Sequence, residues 1–306
     1  MKPLMRILAA TDLSAPARHA VARAFRLAAS GGSELHILCA LELDALDVSL
    51  REMLVGDSST VKSALVDDAR EHLARLAGDP AIHQGLAALP RVVVGNPLTV
   101  ITAEADAWDA NLIVLGARGE SFLRHTLLGA TAARLLRKSA RRPVLVVKQV
   151  PHEAYRSVLI AVDFSPASLQ AIRMARQLAP DADLALLHAF ELPYEGKLKF
   201  AGVDEQAIRQ YITAGCETRR KRLHNLAAAA GLAPMEFSAR IVRGDPAQQI
   251  VAMEQEVDAD LIIVGKHGSH IIEELLLGSV TKHVLAESQC DVLVMCDPRE
   301  APDQSS

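Results

Sequence analysis

Aromatic residues make up only 3% of the 306 positions, and Trp108 is the single tryptophan. That scarcity leaves no row of rings on which successive bases of a single-stranded nucleic acid would stack. A strong charge of one sign is missing as well. The formal net charge is −4; residues 1–150 carry 18 Lys+Arg against 15 Asp+Glu, and residues 151–306 carry 15 against 22. Neither half has the basic excess of a nucleic-acid-binding domain. No apolar run approaches the ~18–20 residues that cross a bilayer, so no membrane-spanning helix is expected. Met1 to Arg6 lead almost directly into a short apolar run without a secretory h-region or small-residue cleavage site. The four cysteines, Cys39, Cys216, Cys290 and Cys296, show no Cys-x-x-Cys spacing and no dense framework. They read as reduced, mostly buried thiols, which makes the cytoplasm the expected compartment. Disorder is excluded too: half the residues are hydrophobic, 23% are charged, and mean hydropathy is +0.17. At ~150 residues per domain, the length predicts two domains.

Those two domains are visible as a repeat. Asp12 in Ala10-Thr11-Asp12-Leu13-Ser14 matches Asp163 in Ala161-Val162-Asp163-Phe164-Ser165 at an offset of 151. Gly95-Asn96-Pro97 matches Gly244-Asp245-Pro246, and Leu112–Gly116 matches Leu261–Gly265, both at 149. Val144–Val147 matches Val292–Met295 at 148. Solenoid repeats run ~20–50 residues, so a period this long is a duplicated domain. The expected units are 1–150 and 155–297, joined by a short connection at Pro151–Ala154.

Within each copy, short apolar runs alternate with amphipathic stretches. Ile7–Ala10, Leu35–Ala40, Val92–Val94, Leu112–Leu115 and Val144–Val147 read as buried strands. Helical patterns lie near Ala15–Ala29, Val61–Ala77, Leu98–Trp108 and Ala130–Ser139. The second copy repeats the strands near Ser157–Val162, Leu184–Ala189, Phe237–Val242, Leu261–Val264 and Val292–Met295. Five strands alternating with helices predict a doubly wound α/β domain, a parallel sheet with helices on both faces, twice over. Ser165 before Pro166 predicts a helix start; Ser14, two residues before Pro16, fits that pattern less cleanly. Ser30-Gly31-Gly32-Ser33 precedes a strand and reads as a helix C-cap. One basic cluster, Arg134, Arg137, Lys138, Arg141 and Arg142, reads as a solvated helix C-terminus, with an anion or partner patch as the alternative.

Open α/β sheets bind ligands beyond the carboxyl ends of their strands. The turn after strand one has no glycine in either copy, which removes the G-x-G-x-x-G and Walker A phosphate loops. It does carry an acid, Asp12 or Asp163. Such a carboxylate either accepts bonds from an adenine amino group or ribose hydroxyl, or caps the following helix. The turn after strand four is more specific. In the second copy it runs Gly265-Lys266-His267-Gly268, then nine residues, then Gly278-Ser279-Val280-Thr281. The first glycines permit a tight turn with amides offered to an anion, and Gly278-Ser279 opens a helix whose free amides attract phosphate.

These residues resemble the universal stress protein family in its tandem two-domain form. Residues 265–279 match that family's ATP signature, G-x2-G-x9-G-[S/T], in full; Val162-Asp163-Phe164-Ser165 and Leu186-Leu187-His188 are also similar to it. The resemblance implies an adenine nucleotide alpha hydrolase-like fold with ATP, alone or with Mg2+, held by Val162, Asp163, Ala189, Val264, Gly265, Lys266, Gly268, Gly278, Ser279, Val280 and Thr281. His267, beside the loop, joins them as a candidate phosphate contact. It further implies pairing of the last strands, Val144–Val147 against Val292–Met295, as a pseudo-dimer within one chain, with a homodimer as a further option. The first copy departs from the pattern. Gly116, Gly119 and Gly129 keep the spacing, but Ala130 stands where the hydroxyl belongs and Thr131 follows one position late, about 100° around a helix. Weak or no nucleotide is expected there, at Thr11, Asp12, Gly116, Gly119 and Gly129.

No metal site is expected, since His267 and His270 lack supporting ligands, and no catalytic residue emerges. The expected function is a cytoplasmic ATP-binding stress-response regulator acting on a protein partner. The alternatives are a nucleotide-free scaffold and a slow ATPase.

Overall fold

The duplicated pattern becomes two units that divide between Ala154 and Tyr155. The computed structural model describes residues 5–43, 58–117, 128–138, 142–191, 204–267 and 277–296. Gly119, Gly268 and His270 lie outside the described residues. In the first unit the strands are β1 (Arg6–Thr11), β2 (Glu34–Leu41), β3 (Leu89–Val94), β4 (Leu112–Gly116) and β5 (Val144–Val147). Between them lie helices α1 (Ala15–Gly31), α2 (Ser58–Ala77), α3 (Pro97–Ala107) and α4 (Ala130–Lys138). The second unit repeats this with β6 (Ser157–Ala161), β7 (Asp183–Phe190), β8 (Phe237–Arg243), β9 (Leu261–Gly265) and β10 (Asp291–Met295). Its described helices are α5 (Pro166–Leu178), α6 (Glu205–Ala229), α7 (Pro246–Glu256) and α8 (Ser279–Glu287).

All strand pairings within each unit are parallel. The first sheet runs β3-β2-β1-β4-β5. The second has the matching order β8-β7-β6-β9-β10. Strand order therefore reverses at β1/β4 and at β6/β9, which puts the ligand crevice of such a sheet beside the β1–α1 and β4–α4 turns and their counterparts. The central strands are continuous Val/Ile/Leu runs because helices cover both faces. Ile7, Ala9, Leu112, Val114, Leu145 and Val146 are fully buried, as are Val158–Ile160 and Leu261–Ile263. The outer strands β3 and β8 keep exposed positions, and on β8 they alternate with half-buried ones over most of its length.

Caps explain where helices begin. Ser165 caps α5, its hydroxyl accepting the Ser168 amide at 3.4 Å. Ser14 also caps its helix, accepting the Ala17 amide at 3.4 Å with Pro16 in the first turn. The extra residue before that proline is accommodated because proline fits anywhere in a first turn whose amides have no intrahelical partner. Gly32 ends α1 at φ 60°, the left-handed cap geometry that favours glycine. The connecting segment is fastened to α1: Arg23 donates to the Glu153 carbonyl at 2.8 Å and Arg26 to the Pro151 carbonyl at 3.1 Å. Trp108, just after α3, stacks on His36 at 3.5 Å between ring centres.

Candidate functional site

At each switch point the sheet opens into a cavity. In the second unit it measures about 290 Å³ and is walled by the ends of β6, β7 and β9 and the N-termini of α7 and α8. Its counterpart in the first unit is about 120 Å³. Small-molecule sites usually occupy roughly 300–1,000 Å³, so only the larger approaches ligand size. Leu115 lines the smaller cavity where the larger has the matching Val264, one methylene shorter.

Ten of the twelve residues expected around a nucleotide line the larger cavity: Val162, Asp163, Ala189, Val264, Gly265, His267, Gly278, Ser279, Val280 and Thr281. Thr11, Asp12, Gly116 and Gly129 line the smaller one. Lys266 does not belong to the lining. Its side chain is only 1% exposed, because successive residues at a strand end point to opposite faces of the sheet. Its main chain closes the glycine loop instead. The Lys266 amide donates to the Met295 carbonyl at 2.7 Å, and its carbonyl accepts the Gly278 amide at 2.9 Å. Ala117 makes the same pair of bonds, to Val147 and from Gly129. Gly265 lets the loop approach closely, since a Cβ there would lie 3.1 Å from the His267 carbonyl oxygen and push it by a few tenths of an ångström.

One end of the larger cavity is a helix start left open. Ser or Asp side chains cap α1, α5, α6 and α7, and Asn96 caps α3. Helix α8 starts at Gly278 with no side-chain cap, so the amides of Ser279, Val280 and Thr281 stay available to an anion. Ser279 is exposed beside them and contributes a hydroxyl. Thr281 has another role: its hydroxyl donates to the Gly265 carbonyl at 2.6 Å, tying α8 to the end of β9. Ala132 occupies that place in the first unit.

At the other end, Asp163 sits half-buried in a turn that it holds itself. Its Oδ1 accepts the Ser165 amide at 2.9 Å and the Ser168 hydroxyl at 2.7 Å, while its own amide donates to Ser168 Oγ at 3.0 Å. The carboxylate is therefore an anchor for the capping serine rather than the cap. Asp12 is exposed and holds Ser14 in the same way, through the amide at 3.1 Å and the hydroxyl at 2.6 Å. The following residue is left-handed in both units, Leu13 at φ 65° and Phe164 at φ 63°. Backbone strain of that kind, ~1–3 kcal/mol, persists where surrounding contacts enforce it.

Several wall residues lie outside the glycine signature. Pro97 and Pro246, landmarks of the repeat, each line their cavity, followed one helical turn later by Ile101 or Ile250. The residue order does mark α6 by a plain signal, the four consecutive cations Arg219-Arg220-Lys221-Arg222. Among the described residues, no group of three or more His, Cys, Asp and Glu is placed to hold a metal ion. No described helix is long and apolar enough to cross a membrane.

Fold and site together define a tandem pair of doubly wound α/β domains, each with a cavity at its topological switch point. Comparison with known proteins makes this specific. The model of the Universal stress protein family matches residues 3–148 and again 154–295. The chain belongs to the universal stress protein family. A universal stress protein of Mycobacterium tuberculosis is 29% identical over 243 residues, covering 75% of this chain and 74% of that protein. Others, from Mycobacterium bovis and Mycobacterium tuberculosis, are 29% identical over 191 residues, and there the match spans 62% of the relative's length. Among solved structures, a universal stress protein from Archaeoglobus fulgidus superposes with a TM-score of 0.65 at 21% identity, covering 95% of this chain and 98% of that one.

Proposed function

We propose that the second unit binds an adenine nucleotide, ATP with or without Mg2+, and that the first unit is a divergent partner that holds it weakly or not at all. The observation that carries this reading is the described part of the glycine signature, Gly265, Gly278 and Ser279, lining the 290 Å³ cavity, with the uncapped start of α8 at one end and Asp163 at the other. The amides and the Ser279 hydroxyl would receive phosphates. The free Oδ2 of Asp163 would accept from the nucleoside. Binding of this kind suits a regulator whose nucleotide occupancy is read by a protein partner. No dedicated catalysis is proposed, because Oδ1 of Asp163, the one carboxylate among the described residues of the lining, is engaged in holding its own turn. A cytoplasmic setting fits the four cysteines, all of them unpaired to one another.

Calorimetric titration of the full chain with ATP, with and without magnesium, tests this. One site per chain is expected. Two equal sites would overturn the division of labour, and no binding by any adenine nucleotide would overturn the nucleotide reading. Ala130→Ser restores the missing hydroxyl of the first unit, yet the stoichiometry is expected to stay at one. A single donor contributes ~1–3 kcal/mol, and it does not enlarge a 120 Å³ cavity. A second site appearing in that variant would show that the hydroxyl alone had been limiting.

A further inference from the structure

Beside the larger cavity, five side chains from three elements form an unbroken series of ring contacts. The Arg222 guanidinium lies 4.2 Å from the centre of Phe164, and Phe164 lies 4.4 Å from His188. His188 is nearly parallel to Phe190 at 6.0 Å, and the Arg219 guanidinium covers Phe190 at 4.0 Å. Phe164 belongs to the turn after β6, His188 and Phe190 are alternate residues of β7, and the two arginines are one turn apart on α6. Neither arginine has a carboxylate partner among the described residues; Arg219 also donates to the Gly215 carbonyl at 3.1 Å, and both guanidiniums rest on the rings. Guanidinium–ring and ring–ring contacts contribute ~0.5–1.5 kcal/mol each, which makes the series a brace rather than a coincidence of packing.

His188 is its centre. Nδ1 is 2.7 Å from the Val162 carbonyl oxygen, so the neutral imidazole donates Nδ1–H there. The same ring thus grips Val162 and Phe164, the two neighbours of Asp163. The first unit shares the left-handed turn but carries Leu13, Cys39 and Leu41 at the matching places, without a ring among them. Cys39 is fully buried there, and burial together with Asp12 pushes its thiol up to about 11. The brace is therefore a property of the unit with the complete signature.

We propose that His188 is a positioning residue for the nucleotide site: neutral, it fixes the turn that presents Asp163, and its protonation loosens that turn and weakens nucleoside binding. This deepens the function proposed above and rests on it. The charged groups facing the imidazole are Asp163 from the turn and Arg219 and Arg222 from α6; Arg240, on the neighbouring β8, is paired with Glu256 at 3.4 Å. An imidazolium here would be half-buried between two guanidiniums. Burial holds the imidazole below its ordinary value, the Val162 carbonyl opposes that, both arginines reinforce it, and Asp163 opposes it more weakly. A nucleoside seated over the cavity removes further water from the ring and so favours the neutral form. By reciprocity, the proton disfavours the nucleoside. A phosphate chain would attract the imidazolium at longer range, which makes adenosine the cleaner probe.

The test follows two quantities from pH 7.5 to 5.0 in the full chain: adenosine affinity by calorimetry, and hydrogen exchange at the Ser165 amide, corrected for intrinsic rate. That amide reports on the turn because it is bonded to Asp163. Affinity is expected to fall at least fivefold and protection to fall by a similar factor. Both profiles should be flat in His188→Gln, which keeps an N–H donor for Val162 but does not titrate. They should also be flat in His188→Phe, which keeps the ring series without the hydrogen bond, at a lower affinity throughout. Protection independent of pH in the parent, or the same slope in either variant, overturns the proposal. If adenosine binds at no pH while the Ser165 amide still loses protection with acid only when His188 is present, the nucleotide reading fails and the positioning role of His188 stands.

Discussion

Gly278→Asp is expected to abolish the ATP binding proposed for the second unit, with little change in the stability of the fold. Gly278 has φ −57° and ψ 151°, close to the −59° and 122° of Asp245 and the −55° and 134° of Asp204, both of which cap their helices. An aspartate on that backbone folds onto the first-turn amides of α8, as Asp245 does onto the Gln248 amide at 3.0 Å. The donors that would receive phosphate are then occupied, and a carboxylate stands where the anion belongs. Two lost hydrogen bonds to a charged group amount to ~3 kcal/mol or more, at least a hundredfold in Kd. Asp and Gly differ as caps by only a few tenths of a kcal/mol, in favour of Asp. Calorimetric titration together with a thermal melt separates the two effects. A Kd within threefold of the parent would mean that phosphates do not sit on α8.

The second large effect falls on stability. Glu254, on α7, is only 6% exposed, and its Oε1 accepts the main-chain amides of Gln289 and Cys290, both at 2.8 Å. Those amides lie in the turn that feeds β10, whose residues Asp291–Met295 are all buried. Glu254→Ala leaves both donors without their acceptor. At ~1.5–3 kcal/mol per bond to a charged group, and with some relief from water at the exposed Gln289, a loss of ~3 kcal/mol is expected. For a unit of this size that lowers the calorimetric transition of the second unit by roughly 6–12 °C. Glu254→Gln keeps an amide oxygen as acceptor and should recover about half of the loss. A shift below ~2 °C for the alanine variant would show that the turn finds other partners.

Much of this protein is legible in its residue order because the relevant physics is local. Strands buried on both faces must be apolar throughout, so runs such as Leu112–Leu115 and Val144–Val147 announce themselves. Ser165-Pro166 starts a helix by its own chemistry. A duplicated domain repeats its turn residues, which is why Asp12 and Asp163, or Pro97 and Pro246, line up at nearly the same distance, 151 and 149 residues. The glycine spacing at 265–278 was equally readable, since both the tight approach of the His267 carbonyl to Gly265 and the uncapped start of α8 depend on residues lacking side chains.

The particular duties of the side chains were not readable in that way. Lys266 stands inside the signature and Thr281 just after it, yet one is buried outside the cavity lining because the side of the sheet a residue faces depends on where its strand ends, and the other turns its hydroxyl back onto Gly265 across the gap between α8 and β9. Glu254 matches Ala105 in the first unit, so the repeat gave no hint that a buried carboxylate holds the entry to β10. His188 acquires its place only when β6, β7 and α6 meet. By itself the residue order determined the duplicated doubly wound fold and the position of the glycine loop, since hydrophobic period, capping and turn chemistry act over a few residues. Only the tertiary structure decided that one cavity is more than twice the other in volume and that a histidine between two arginines braces the aspartate turn, since cavity volume and ring contacts arise from residues brought together across dozens of positions in the chain.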